Sequence, residues 1–135
     1  MLNRRECAWL ARRVALAVQA WLCLIAFDVS RLAGFARAHR WLAHQRPRVR
    51  RRMRSTADDI VWAVDEACVW YVKRAACLQR SAVATWLMRR HGIDAQLVIG
   101  YRPLPFESHA WVEVDGRIVN DRPQYQKAFT VLDRL

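Results

Sequence analysis

An α+β chain, helices first and strands last, is predicted from three observations. Apolar residues recur every three to four positions over most of residues 4–91, the period of helices with a buried face. Beyond Gly92 the period falls to two, in "AQLVIGY" (95–101) and "HAWVEV-DG-RIVND" (109–121), as in half-buried antiparallel strands. Charge also divides the chain. Residues 1–55 hold 13 Arg, no Lys and only Glu6 and Asp28, a net +11, whereas 56–135 hold equal numbers of basic and acidic residues. The 135 residues are 54% hydrophobic with seven Trp, enough for one modest domain with its own core and too apolar for disorder. The charge split suggests two regions: a basic helical one over 1–55, for docking or cover, and a neutral core over 56–135.

The elements follow in order. Trp9, Leu10, Val14, Leu16, Val18, Trp21, Leu22 and Ile25 predict a helix over 4–26. Its segment "VALAVQAWLCLIAF" (14–27) imitates a signal peptide. It falls short of the roughly 20 residues that span a bilayer, and no convincing cleavage site follows. It reads as a buried or partner-facing helix ahead of a membrane-surface or export one. A second helix is expected from Ser30, as N-cap, to His44. Pro47 ends it, and "RPRVRRRMR" (46–54) is a basic connector. A third helix starts at Ser55 or Thr56, with Asp58 and Asp59 suiting the positive end of its dipole. The fourth is "CLQRSAVATWLMRRHG" (77–92), where Gly92 is a good left-handed C-cap. "RPLPFES" reads as a loop, and "AFTVLDRL" as a last edge strand or short helix.

Cys7, Cys23, Cys68 and Cys77 are spaced 16, 45 and 9 apart. No C-x-x-C pair exists for zinc, and the chain does not look like a disulfide-stapled secreted domain. Reduced thiols and a cytoplasmic location are expected, with no metal or organic cofactor.

Cys77 stands out because it opens a helix. A helix N-terminus gathers unpaired N–H groups and partial positive charge, which favours thiolate and can hold an oxyanion. The competing reading is a small core residue. A cysteine nucleophile needs a histidine to carry protons and a group to orient that histidine. His39 and His44 lie in the basic region and read as solvated; His91, in the last turn of a helix, suits a dipole interaction. His109 opens an alternating strand, and Asp121 closes the next. A two-residue turn at Asp115-Gly116 would set these two on opposite faces. A three-residue turn with a glycine bulge would set them directly opposite each other, so the catalytic reading requires the odd-length turn. The alternative for Asp121 is an exposed turn residue. Composition and spacing leave a Cys–His–Asp triad as one option among several.

Three blocks, "CLQRSAVATWLMRRHGIDAQLVIGYR", "PFESHAWVEVDG" and "VND", resemble in order and spacing the leader peptidase of lasso-peptide biosynthesis, a stand-alone protease of the transglutaminase-like cysteine protease superfamily. The resemblance covers about 77–121. It implies a transglutaminase/papain-like core, a cysteine-bearing helix packed on a small antiparallel sheet. It makes Cys77 the nucleophile, His109 the general base and acid, and Asp121 the orienting residue. It also implies removal of a leader from a ribosomal precursor peptide through an acyl-enzyme. The implied partners are the precursor, a separate leader-binding recognition protein, and the ATP-dependent cyclase that forms the lactam. Trp70 or Tyr71, just upstream, is expected to frame the site. Some relatives carry a winged-helix leader-binding domain in front of the protease, but 1–55 shows no strand pattern for one. Its helices are then a docking surface for a partner, or merely a cover for the sheet.

Rival readings are a transglutaminase-type acyl transfer to an amine, a basic nucleic-acid binder prompted by the arginine run, and a membrane-surface protein. Specific nucleic-acid binding is not expected, and membrane association is not favoured.

Overall fold

The computed structural model describes residues 3–45 and 55–135; the basic connector 46–54 lies outside them. Helix α1 runs from Arg4 to Leu32, longer than its periodicity suggests. Asn3 caps it, accepting from the Arg5 amide while the Glu6 carboxylate accepts from the Asn3 amide. Ser30 does not cap a second helix. It lies inside α1, donating to the Phe27 carbonyl at 2.7 Å. The break falls at Gly34 (φ 106°), a left-handed position suited to glycine. Helix α2 follows as Phe35–Ala43.

Helix α3, Ala57–Val69, is capped by Thr56 in a reciprocal box with Asp59. Helix α4, Cys77–Arg90, starts at the cysteine and turns off at Gly92 (φ 81°), as read from sequence. It is buried on nearly every side, with Ala82, Val83, Ala84, Leu87 and Met88 at most 4% exposed. On one side it meets α1 and α3 through Ala20, Leu24, Ile60 and Val64. On the other it meets the sheet through Leu97, Ala110 and Val112.

The sheet is antiparallel, ordered β3-β2-β1-β4. Strand β1 is Ala95–Pro103, β2 Phe106–Val114, β3 Arg117–Ile118 and β4 Thr130–Arg134. A short helix α5, Tyr125–Ala128, precedes β4. "RPLPFES" is not a free loop: Arg102 and Pro103 pair with Glu107 and Phe106, and the turn is Leu104-Pro105. The chain is thus α+β as predicted, with β4 the last edge strand.

The second hairpin departs from the odd-length turn. Glu113 pairs with Ile118 and Val114 with Arg117, across the two-residue turn Asp115 (φ 50°) and Gly116 (φ 72°). Both central residues are left-handed, as the tight Asp-Gly turn requires.

Candidate active site

In a ladder continued from that turn, Asp121 would point away from His109. The pairing instead stops at Ile118, and the Val119 amide makes one more bond to the Val112 carbonyl. The chain then bends over 119–121. At the bend a side chain replaces the missing strand: Asn120 Oδ1 accepts from the Val112 amide at 2.7 Å. Asn120 Nδ2 donates to Ser81 Oγ at 3.0 Å, and Ser81 Oγ donates to the Ala110 carbonyl at 3.0 Å. The open edge of β2 is therefore closed by two side chains, one from the bend and one from α4. Arg80 of α4 donates to the Asn120 carbonyl at 2.7 Å, and its Nε pairs with Asp65 of α3 at 2.8 Å.

The bend brings Asp121 to His109. His109 Nε2 lies 2.9 Å from Asp121 Oδ2, and both side chains are 18% exposed. The ring is packed among aromatics: Tyr125 edge-on at 4.6 Å, Phe129 at 5.8 Å and Trp111 stacked at 6.3 Å between centroids. With Nε2 engaged by the carboxylate, Nδ1 is the nitrogen left to serve a second partner.

Cys77 occupies the first turn of α4, where Ala76 is the N-cap and supplies no side-chain cap. A developing negative charge is favoured at such an end. Cys77, His109 and Asp121 line one cleft with Asp65, Cys68, Arg80 and Ser81. Burial raises the Asp65 carboxyl above its ordinary value, opposed by Arg80 and reinforced by the charge of Asp121. Burial also raises the Cys68 thiol, and pushes Cys23 up to about 11. A buried thiol that resists ionisation is a poor nucleophile.

Trp70 and Tyr71 do not frame this cleft. Trp70 Nε1 donates to Glu66 at 3.1 Å with the ring largely exposed, and Tyr71 donates to Asp28 at 2.6 Å and packs on Trp21. His39, read as solvated, is half-buried and bonds Asp133 of β4 at 3.0 Å. His44 is exposed and reaches back to the Arg40 carbonyl, and His91 is the C-cap of α4. Among the described residues no three metal-ligating side chains cluster, and all four cysteines are free thiols. Asn120, Ser81 and the Tyr125–Phe129 cover were not anticipated. The only sequence signal for Asn120 was its place in the "VND" block.

A model of the transglutaminase-like superfamily matches residues 20–134. The chain belongs to the transglutaminase-like superfamily. The match begins inside α1 and runs to the end of β4. Among curated proteins, the microcin J25-processing protein McjB of Escherichia coli is 41% identical over 59 residues. That segment is 44% of this chain and 28% of the relative, so the match spans little more than a quarter of that protein. No solved structure matches. In this transglutaminase-like chain, thiol, imidazole and carboxylate line a single cleft. A cysteine that forms an acyl-enzyme needs such a set.

Proposed function

We propose that this chain is a cysteine peptidase that removes the leader segment from a ribosomally made precursor during lasso-peptide maturation. Cys77 is the nucleophile, His109 the general base and then acid, and Asp121 the group that orients the imidazole. The observation that carries the reading is the convergence of the three side chains on one cleft, with the 2.9 Å His109–Asp121 bond. Similarity to a microcin-processing protein supports a precursor peptide as substrate.

The steps follow from the chemistry of these groups. His109 Nδ1 takes the proton from Cys77 Sγ, and the sulfur attacks the scissile carbonyl carbon. The oxyanion faces the first-turn N–H groups of α4. As the tetrahedral adduct collapses, the C–N bond breaks and the leaving amine takes the proton from the imidazolium. Water then gives a proton to His109 and attacks the thioester. The carboxylic acid product departs and the thiol is restored. Asp121 holds the ring and stabilises its charged form throughout. Leader capture falls to a separate recognition protein, and lactam formation to an ATP-using cyclase, in the cytoplasm. Superfamily membership also supports acyl transfer to an amine, in which the amine replaces water in the second half.

The test is incubation of the full chain with a candidate precursor and a leader-binding protein, read by mass spectrometry. Cleavage is expected with the wild type and absent from folded Cys77→Ala and His109→Ala variants. Cleavage retained by either variant rules out the assignment. A product joined to an added amine, without hydrolysis, shifts it to acyl transfer.

A further inference from the structure

Helix α1 shows solvent a face that nothing in the described structure covers. Leu10, Val14, Val18, Leu22, Val29 and Leu32 recur along it at helical spacing, each 47–89% exposed. At 1.5 Å per residue the stripe is about 33 Å long. A contiguous apolar surface of that length marks an interaction site. The opposite side of the helix, with Leu16, Ala20 and Leu24, is buried in the protein core. Lipid could not surround α1 without undoing that core, so the helix can lie on a bilayer but not cross it as folded.

Charge says which occupant fits. The arginines that could interrupt the stripe turn away from it: Arg13 lies over the Trp62 ring at 3.7 Å and Arg12 reaches Ser55. Exposed arginines stand at the two ends of the helix, Arg4 and Arg5 at one and Arg31 at the other. The two acidic residues of 1–55 are already engaged, Glu6 in the cap and Asp28 with Lys73 at 2.7 Å. The complementary surface is therefore apolar at its centre and anionic around it. A lipid surface with acidic headgroups has that character. A protein partner usually anchors on aromatic or arginine side chains at the centre of the patch, and the centre of this stripe is aliphatic. We infer that the outer face of α1 docks the protein flat on an anionic phospholipid surface.

Flotation of the full chain with vesicles tests this. Phosphatidylcholine vesicles with and without one-quarter phosphatidylglycerol are compared at low and high salt. Anionic vesicles should carry about tenfold more protein than neutral ones at low salt, with the difference shrinking at high salt. The double variant Val18→Gln/Leu22→Gln should lose most of the flotation, about tenfold, while keeping its circular dichroism and melting temperature. Both sites are exposed, so the fold tolerates the change. Arg4→Gln/Arg5→Gln should reduce binding to anionic vesicles only. No flotation of the wild type overturns the inference, whether the chain is then a monomer or dimerises through α1. Flotation that survives Val18→Gln/Leu22→Gln also overturns it. So does vesicle-free capture of the wild type, but not that variant, by an acidic soluble protein.

Discussion

Asn120 stands where a strand ends too soon, and its amide does the work of the missing backbone. It is 5% exposed, accepts from Val112 and donates to Ser81, while its own carbonyl is held by Arg80. Each bond fixes the bend that turns Asp121 toward His109. Asn120→Ala leaves the Val112 amide and the Ser81 hydroxyl short of a partner in a buried place, at a cost of about 1–3 kcal/mol. Because Asn120 positions rather than reacts, the variant should lower kcat roughly tenfold to a hundredfold with KM little changed. Steady-state cleavage kinetics with a urea melt measure both. An unchanged kcat in a destabilised protein would leave Asn120 a purely structural residue. None of this was legible from spacing, because the partners of Asn120 lie 8 and 39 residues away. The His109–Asp121 pairing was legible, but the turn assumed for it was not. Sequence arithmetic kept the ladder regular, and the chain broke it.

At the scale of elements, one glycine of the sheet bears on the imidazole and one carboxylate ties the strands around it. Gly100 of β1 pairs with His109 of β2. A Cβ there would sit 2.7 Å from Trp111 Cη2 and 3.0 Å from Phe129 Cβ. Both rings pack on His109, so Gly100→Ala should shift the imidazole as well as strain the sheet. We expect about 1–3 kcal/mol of destabilisation and slower cleavage, seen by thermal melting and kinetics together. A variant of wild-type stability and activity would show that the aromatic cover yields easily. Glu113 ties β2 to β4 and α5. Burial disfavours its charge, but hydrogen bonds from Trp111, Arg134 and Gln126 prevail and hold the carboxyl below its ordinary 4.5. A carboxyl lowered on folding contributes stability that is fully present above the unfolded value. That contribution is lost as pH falls through the folded one. Glu113→Gln should therefore flatten the fall in stability below about pH 4.5, read by urea unfolding across that range. Parallel curves for the two proteins would remove Glu113 as the source. The strands themselves were readable from their alternation. Inside "RPLPFES", two prolines masked the first hairpin, since proline is a strong turn signal and a poor strand former.

At the scale of the molecule, α4 is the axis, and Arg89 near its end fastens three other elements to it. Its guanidinium donates to the carbonyls of Leu42 in the last turn of α2 at 2.7 Å, Ala95 in β1 at 2.9 Å and Leu135 after β4 at 2.8 Å. Burial pulls its pKa below the ordinary value, with Asp94 acting the other way. In the sequence Arg89 is one of two arginines in the last turn of α4. Its burial could not be read, because the carbonyls that receive it come from residues 6 to 47 positions away. Arg89→Met keeps much of the stem's packing but removes one donor from each of three carbonyls, of which Leu42 and Leu135 keep a backbone amide, costing about 2–4 kcal/mol. For a chain of this size that lowers Tm by about 10 °C. The loss should appear in one cooperative transition, because α1, α3, α4 and the sheet share one core. Arg89→Lys, a single ammonium in place of a fork, should recover part of the loss. Circular dichroism melts of the three proteins decide it. If Arg89→Met instead released α2 in a separate early step while the rest melted as in the wild type, the guanidinium would be a local clasp rather than the fastening of the whole fold.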